Sequence, residues 1–140
     1  MKTVGIDARI ETERGTCLDE LGDPRNRVNW LLSLAILDST LCLRFIDPYG
    51  DTLFNGLQIP TLLSECAALA ARLTEPNLLE SKRVYLERAA TWPKAAFLEA
   101  QEATEALTLA ELRHHLDALL HLFSDAVDKG AHHSVRFIGD

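Results

Sequence analysis

The stretch from Thr108 to Ile138, TLAELRHHLDALLHLFSDAVDKGAHHSVRFI, decides the fold class, because it passes from a helical period to a strand period across one glycine. Thr108 and Glu111 have the spacing of a capping box, in which the hydroxyl oxygen serves the free amides of the first turn. Leu109, Leu112, Leu116, Leu119, Leu120, Phe123 and Val127 follow at spacings of three and four, the mark of a helix with one buried stripe. Leu122 falls off that stripe and is expected at the surface, where a leucine-rich helix offers a route to a homodimer. Gly130 ends the helix, and His133 to Ile138 reads as a closing strand.

Working outward, Val4, Ile6, Ala8 and Ile10 alternate with Gly5, Asp7, Arg9 and Glu11, the period of two of a strand with one wet face. Glu13-Arg14-Gly15 offers a turn, with Thr16-Cys17-Leu18 as a short returning strand. Asp23-Pro24 is a helix-start signal, and Val28, Leu31, Leu32, Ala35 and Ile36 mark a buried stripe ending near Asp38. Leu41 to Ile46 reads as a strand, Asp47-Pro48-Tyr49-Gly50 as a type I turn, and Thr52-Leu53-Phe54 as its antiparallel return. A helix starts near Pro60 or Thr61 and buries Leu62, Leu63, Cys66, Leu69, Ala70 and Leu73. Thr74-Glu75-Pro76 starts the next helix, Trp92-Pro93 breaks it, and a shorter helix runs from Pro93 to about Glu105. Leu43-Arg44-Phe45-Ile46-Asp47 echoes Val135-Arg136-Phe137-Ile138-Gly139, which suggests two similar, neighbouring strands. No repeat or linker interrupts the chain, so residues 1–140 are read as a single α+β domain. Its sheet is small and mainly antiparallel, of four or five strands, with amphipathic helices over one face.

A chain of 140 residues with 47% hydrophobic content has room for a real core, and its apolar runs are far shorter than the roughly 18 residues of a membrane span. Cys17, Cys42 and Cys66 are an odd number in apolar surroundings, as expected of reduced core residues in a cytoplasmic protein. The opening residues Met1 to Asp7 hold no continuous apolar stretch, so a secretory signal is not expected. The formal charge of −7 repels phosphate backbones and argues against nucleic acid as partner. Between Ala95 and Asp128, Glu99, Glu102, Glu105, Glu111, Asp117, Asp125 and Asp128 face Arg113 alone, a balance of −6. Such a surface suits a basic protein partner as well as it suits solubility.

Chemical signatures are sparse. His114, Asp117, His121 and Asp125 share one helical face, from which a small metal-dependent hydrolase using His114, Asp117 and His121 is the alternative reading. Yet no HExxH, Cys-x-x-Cys, G-x-S-x-G or Gly-rich phosphate loop is present, so no catalytic residue, metal or cofactor is assigned. Asp47, Asp51 and Asp140 stand at strand ends near Arg44 and Arg136, where carboxylates cap turns more often than they catalyse. Trp30 reads as core, and Tyr49, at a hairpin tip, as a candidate contact for a protein partner.

The segment Leu43-Arg44-Phe45-Ile46-Asp47-Pro48-Tyr49-Gly50-Asp51-Thr52 and the closing Phe137-Ile138-Gly139-Asp140 resemble small bacterial proteins of the polymorphic-toxin immunity type. The resemblance implies an interaction protein that inhibits a cationic toxin or nuclease, and it carries over no individual residue. Charge and position assign the contact residues: Glu99, Glu102, Glu105, Glu111 and Asp117, with Tyr49 as a further anchor.

Overall fold

The computed structural model describes residues 5–139, and these form an α+β fold. Strands β1 (Asp7–Thr12), β2 (Cys17–Leu21), β3 (Asp51–Phe54) and β4 (His133–Ile138) make one antiparallel sheet in the order β2-β1-β4-β3. The closing strand is thus central, between the first strand and the third. Ala8 lies opposite Phe137 and Ile10 opposite Val135, and these four side chains, fully or almost fully buried, form the inward face. The outward face is polar. Arg9 stands directly opposite Arg136, a repulsive cross-strand pair that needs intervening carboxylates. Glu11 supplies one, only 4% exposed, accepting from Arg136 Nε at 2.9 Å and lying 3.8 Å from Arg9. Glu20 and Asp51 flank the row at 3.5 Å from Arg9 and 3.3 Å from Arg136. The Glu11 hydrogen bond, set against a smaller desolvation cost, holds the Arg136 guanidinium above its ordinary pKa.

Five helices, α1 (Arg27–Leu34), α2 (Ile59–Leu69), α3 (Glu75–Ala89), α4 (Lys94–Ala106) and α5 (Leu109–Lys129), cover the apolar side. The longest, α5, is the spine: it packs on α2, α1 and the sheet, with Phe123 edge-on to Phe137 at 5.8 Å. Its start is the capped one read from sequence, Thr108 Oγ1 accepting from the Glu111 amide at 3.2 Å, and Gly130 ends it at φ 98°, a region that favours glycine. Thr74 caps α3 in the same way, through the Asn77 amide. Cations close other ends. Arg72 donates to the Leu34 carbonyl at 3.1 Å, Lys82 to Leu107 at 2.7 Å and Arg113 to Leu73 at 3.0 Å, satisfying acceptors that helix and turn ends leave free.

Several expectations are corrected. Leu41 to Ile46 is not a strand: Glu65 of α2 accepts from the amides of Leu41, Cys42 and Leu43, and Leu43–Phe45 is a 3-10 turn. Amides held by a carboxylate cannot enter a ladder, so β3 pairs with β4 and the two echoing segments are not neighbouring strands. The turn at Asp47 does form, with Gly50 donating to the Asp47 carbonyl and Tyr49 to its carboxylate at 2.9 Å. Helix α1 stops at Leu34 because Ala35 turns extended, which leaves Ile36 57% exposed. Leu122 is buried and Val127 exposed, the reverse of the reading, because the buried arc of α5 is centred on Leu119 and reaches Leu122 at one margin. Leu122 is therefore not the exposed residue from which self-association through this helix was expected. Trp30 is half-buried, edge-on to Tyr85 of α3 at 4.9 Å. Val4 and Asp140 lie outside the described residues.

The cysteines also divide. Cys17 is exposed on the edge strand β2, whereas Cys42 and Cys66 are buried. Burial, reinforced by Glu65, raises the thiol pKa of Cys42 and pushes that of Cys66 up to about 12. A thiol reagent at pH 8 is therefore expected to modify Cys17 alone in the folded protein and all three in denaturant, and mass spectrometry of the labelled peptides checks this. Equal native labelling of Cys66 would contradict the burial.

Candidate functional site

The most chemically loaded place among the described residues is the junction between the β2–α1 connection and α5. Asp23, 2% exposed, sits at its floor. One of its oxygens accepts from the Arg27 amide at 2.7 Å, and the other from the amides of Ile6 and Val28 at 3.0 and 3.1 Å. The aspartate read as a helix-start signal therefore serves the first turn of α1 from four residues upstream, while Asn26, at φ 56°, makes the bend between them. The amide of Asp23 in turn donates to the Asp7 carboxylate at 2.8 Å. These bonds tie the approach to β1 to the start of α1.

Above this floor opens a cleft of about 230 Å³, lined by Asp23, Arg25, Arg27, His114, His115 and apolar neighbours. His115 comes from α5 and is 6% exposed. Burial pulls its pKa below the ordinary 6.5, with Arg27 and His114 acting in the same direction and Asp23 opposing them. Its Nε2 and the Nε of Arg27 are buried without a hydrogen-bond partner among the described residues. The rest of the Arg27 guanidinium reaches Glu111 at 3.3 Å. Both unmet nitrogens are closed to solvent, so a molecule in the open cleft would meet the exposed rim groups Arg25 and His114 rather than these atoms. A second cavity, about 10 Å³ and lined by apolar side chains such as Val28, Leu116 and Phe137, offers no polar group.

The residues chosen from sequence are dispersed. Glu99, Glu102 and Glu105 lie together, exposed, along α4, which packs chiefly on α3. Asp117 is exposed on α5. Glu111 is half-buried and paired with Arg27, so it is drawn into the molecule. Tyr49 is 80% exposed at its turn. On the proposed ligand face, His114 borders the cleft, and His121 lies 3.7 Å from Asp125. Among the described residues no three His, Cys, Asp or Glu side chains are grouped so that they could hold a metal ion. Asp51 meets Arg136, while Arg44 lies over the Phe45 ring at 4.8 Å and Asp47 serves its turn.

Sequence reading passed over His115. A signal existed, since His115 is three residues after Leu112 and four before Leu119, which places it beside the apolar stripe. What no spacing could show is that Asp23 and Arg27, some 90 residues away in the chain, form the opposite wall. Comparison of the chain with family models, with curated proteins and with solved structures finds no match.

Two outcomes follow from this geometry. Asp23→Ala leaves three amides without their acceptor and is expected to cost about 3 kcal/mol of stability, read from urea unfolding at pH 7. A loss under about 1 kcal/mol would mean that the amides find other partners. His115 has a folded-state pKa below its unfolded one, so under about pH 6.5 the unfolded chain binds a proton that the folded site refuses. Its contribution is full above that pH and declines as the pH falls toward the folded-state value, with a slope of at most about 1.4 kcal/mol per pH unit. Urea curves at pH 7.5 and 5.5 should show a smaller acid loss in His115→Gln than in wild type, and equal losses would contradict the assignment.

Proposed function

We propose that the protein is an interaction module of the immunity or antitoxin kind, which binds and inhibits a cationic bacterial toxin. The observation that supports this most is the exposure of one segment. Between Leu41 and Leu57, five large apolar side chains stand at least half in water: Leu41 at 68%, Phe45 at 61%, Tyr49 at 80%, Leu53 at 50% and Leu57 at 84%. Isolated apolar residues on a surface need no explanation, but five within 17 residues of chain are what a partner would cover. Tyrosine is among the residue types enriched at the energetic centres of interfaces.

Charge supports a basic partner. The α4 triad Glu99, Glu102 and Glu105 is exposed, and the whole chain carries −7. Long-range attraction speeds encounter and orients it without requiring that the acids touch the partner, whereas buried anchors hold the complex. The carboxylates therefore affect association rate and salt dependence, and Tyr49 affects residence time.

The test has two arms. The tagged protein is used to capture partners from lysate of the source organism, and the captured protein is then expressed in a host with and without this chain. The reading expects a basic protein that is toxic alone and harmless when co-expressed. Changing Glu99, Glu102 and Glu105 to Gln together should slow association about tenfold at low salt, while Tyr49→Ala should chiefly speed dissociation, by a comparable factor. A captured protein that is neither basic nor toxic would sink the proposal.

A further inference from the structure

The two legs of the Leu41–Leu57 segment are tied to each other. The Cys42 thiol donates to the Gln58 carbonyl at 3.8 Å, the Asp47 amide donates to Thr52 Oγ1 at 2.9 Å, and that hydroxyl donates to the Phe45 carbonyl at 3.5 Å. With Gly50 closing the turn onto the Asp47 carbonyl, the segment is an arm folded back on itself, one leg of which contains β3. Leu41 and Leu57 therefore stand at its base, Phe45 and Leu53 midway and Tyr49 at its tip, so the five exposed apolar side chains belong to one feature of the fold. Large apolar side chains offer roughly 150–200 Å² each when wholly in water, and at their observed exposures these five present on the order of 600 Å². A standard interface takes about 800 Å² from each partner, somewhat more than half of it apolar. One arm thus supplies the apolar share of one side of a stable dimer.

Charge narrows the occupant. The arm carries Arg44, Asp47 and Asp51 and no other charged residue. Asp51 is answered by Arg136 of β4 at 3.3 Å, which leaves one exposed cation, Arg44, and one exposed anion, Asp47. Such an arm is nearly neutral, and a second arm matches both of its signs. In a two-fold contact the same patch serves both chains, so Arg44 of each copy can face Asp47 of the other. The −7 of the whole chain opposes approach, but Glu99, Glu102 and Glu105 sit on α4, outside the arm, and repulsion between exposed charges is screened beyond about 8 Å at physiological salt. We propose that the arm is a self-association surface, through which two copies of the chain pair in an isologous dimer when no other partner covers it. The pairing draws on the exposure that also supports the function proposed above, and it does not require a toxin.

Sedimentation velocity of the full chain over a concentration series tests this, with circular dichroism confirming that each variant is folded. The expected result is a concentration-dependent dimer with a dissociation constant on the order of micromolar, the weak end for a contact of this size. Tyr49→Ala and Leu57→Lys, both at well-exposed positions, should each weaken it about tenfold or more, while Leu79→Lys, at an exposed apolar position of α3, should leave it unchanged. Arg44→Glu should weaken it too, and more at low salt than at high salt, because both arms then carry only acids. A chain that stays monomeric at roughly millimolar concentration, a dimer indifferent to these arm substitutions, or one lost equally in Leu79→Lys would overturn the proposal. Capture of a basic toxin from lysate is a separate measurement, so the dimer and the inhibitor reading fail independently.

Discussion

Three amides converge on the carboxylate of Asp23, and the order of the molecule follows from how that buried charge is satisfied. A carboxylate 2% exposed is tolerable only when its lone pairs are engaged, and the donors that engage it come from Ile6 and from the first turn of α1. The chain entering β1 is therefore pinned against the chain entering α1. The approach is close enough that a Cβ on Gly5 would stand 1.7 Å from the Asp23 carbonyl oxygen, so only glycine fits there. The same pinning aims Arg27 at Glu111 and brings Asp23 under His115, so the cleft and the sheet depend on one side chain.

Glu65 repeats the device on the other side of the fold. By collecting the amides of Leu41, Cys42 and Leu43, it withdraws from strand pairing a segment whose composition is that of a strand. Leu43 and Ile46 still enter the core, but Leu41 and Phe45 are turned into water. An apolar surface segment is thus a by-product of satisfying backbone donors with a side chain. That links a local hydrogen-bonding choice in α2 to the exposure of Leu41 and Phe45.

Charge is sorted in a comparable way. Arg72, Lys82 and Arg113 are spent on carbonyls at helix and turn ends, and Arg9 and Arg136 surround Glu11, so a good part of the positive charge works inside the fold. Exposed acids on α4 then dominate one part of the exterior, while the cleft keeps Arg25 and Arg27 beside two imidazoles.

Much of the architecture was legible in local pattern. Alternation identified β1, the Thr108 cap and Gly130 bounded α5, Thr74 with Pro76 opened α3, and Asp23 announced α1, because each of these depends on residues within one or two turns of each other. The misreadings share the opposite property. Leu41–Ile46 left the sheet because of Glu65, about 20 residues on, and Leu122 was buried because α5 is covered on two sides rather than one. His115 became a cleft residue only when Arg27 and Asp23 were folded against it. Sequence by itself determined most of the helices and strands, the caps of α3 and α5 and the net charge, since periodicity and capping are short-range physics. Tertiary structure alone decided which carboxylates were buried, which apolar side chains stayed in water and which imidazole met an arginine, because those outcomes depend on contacts between residues that the chain keeps far apart.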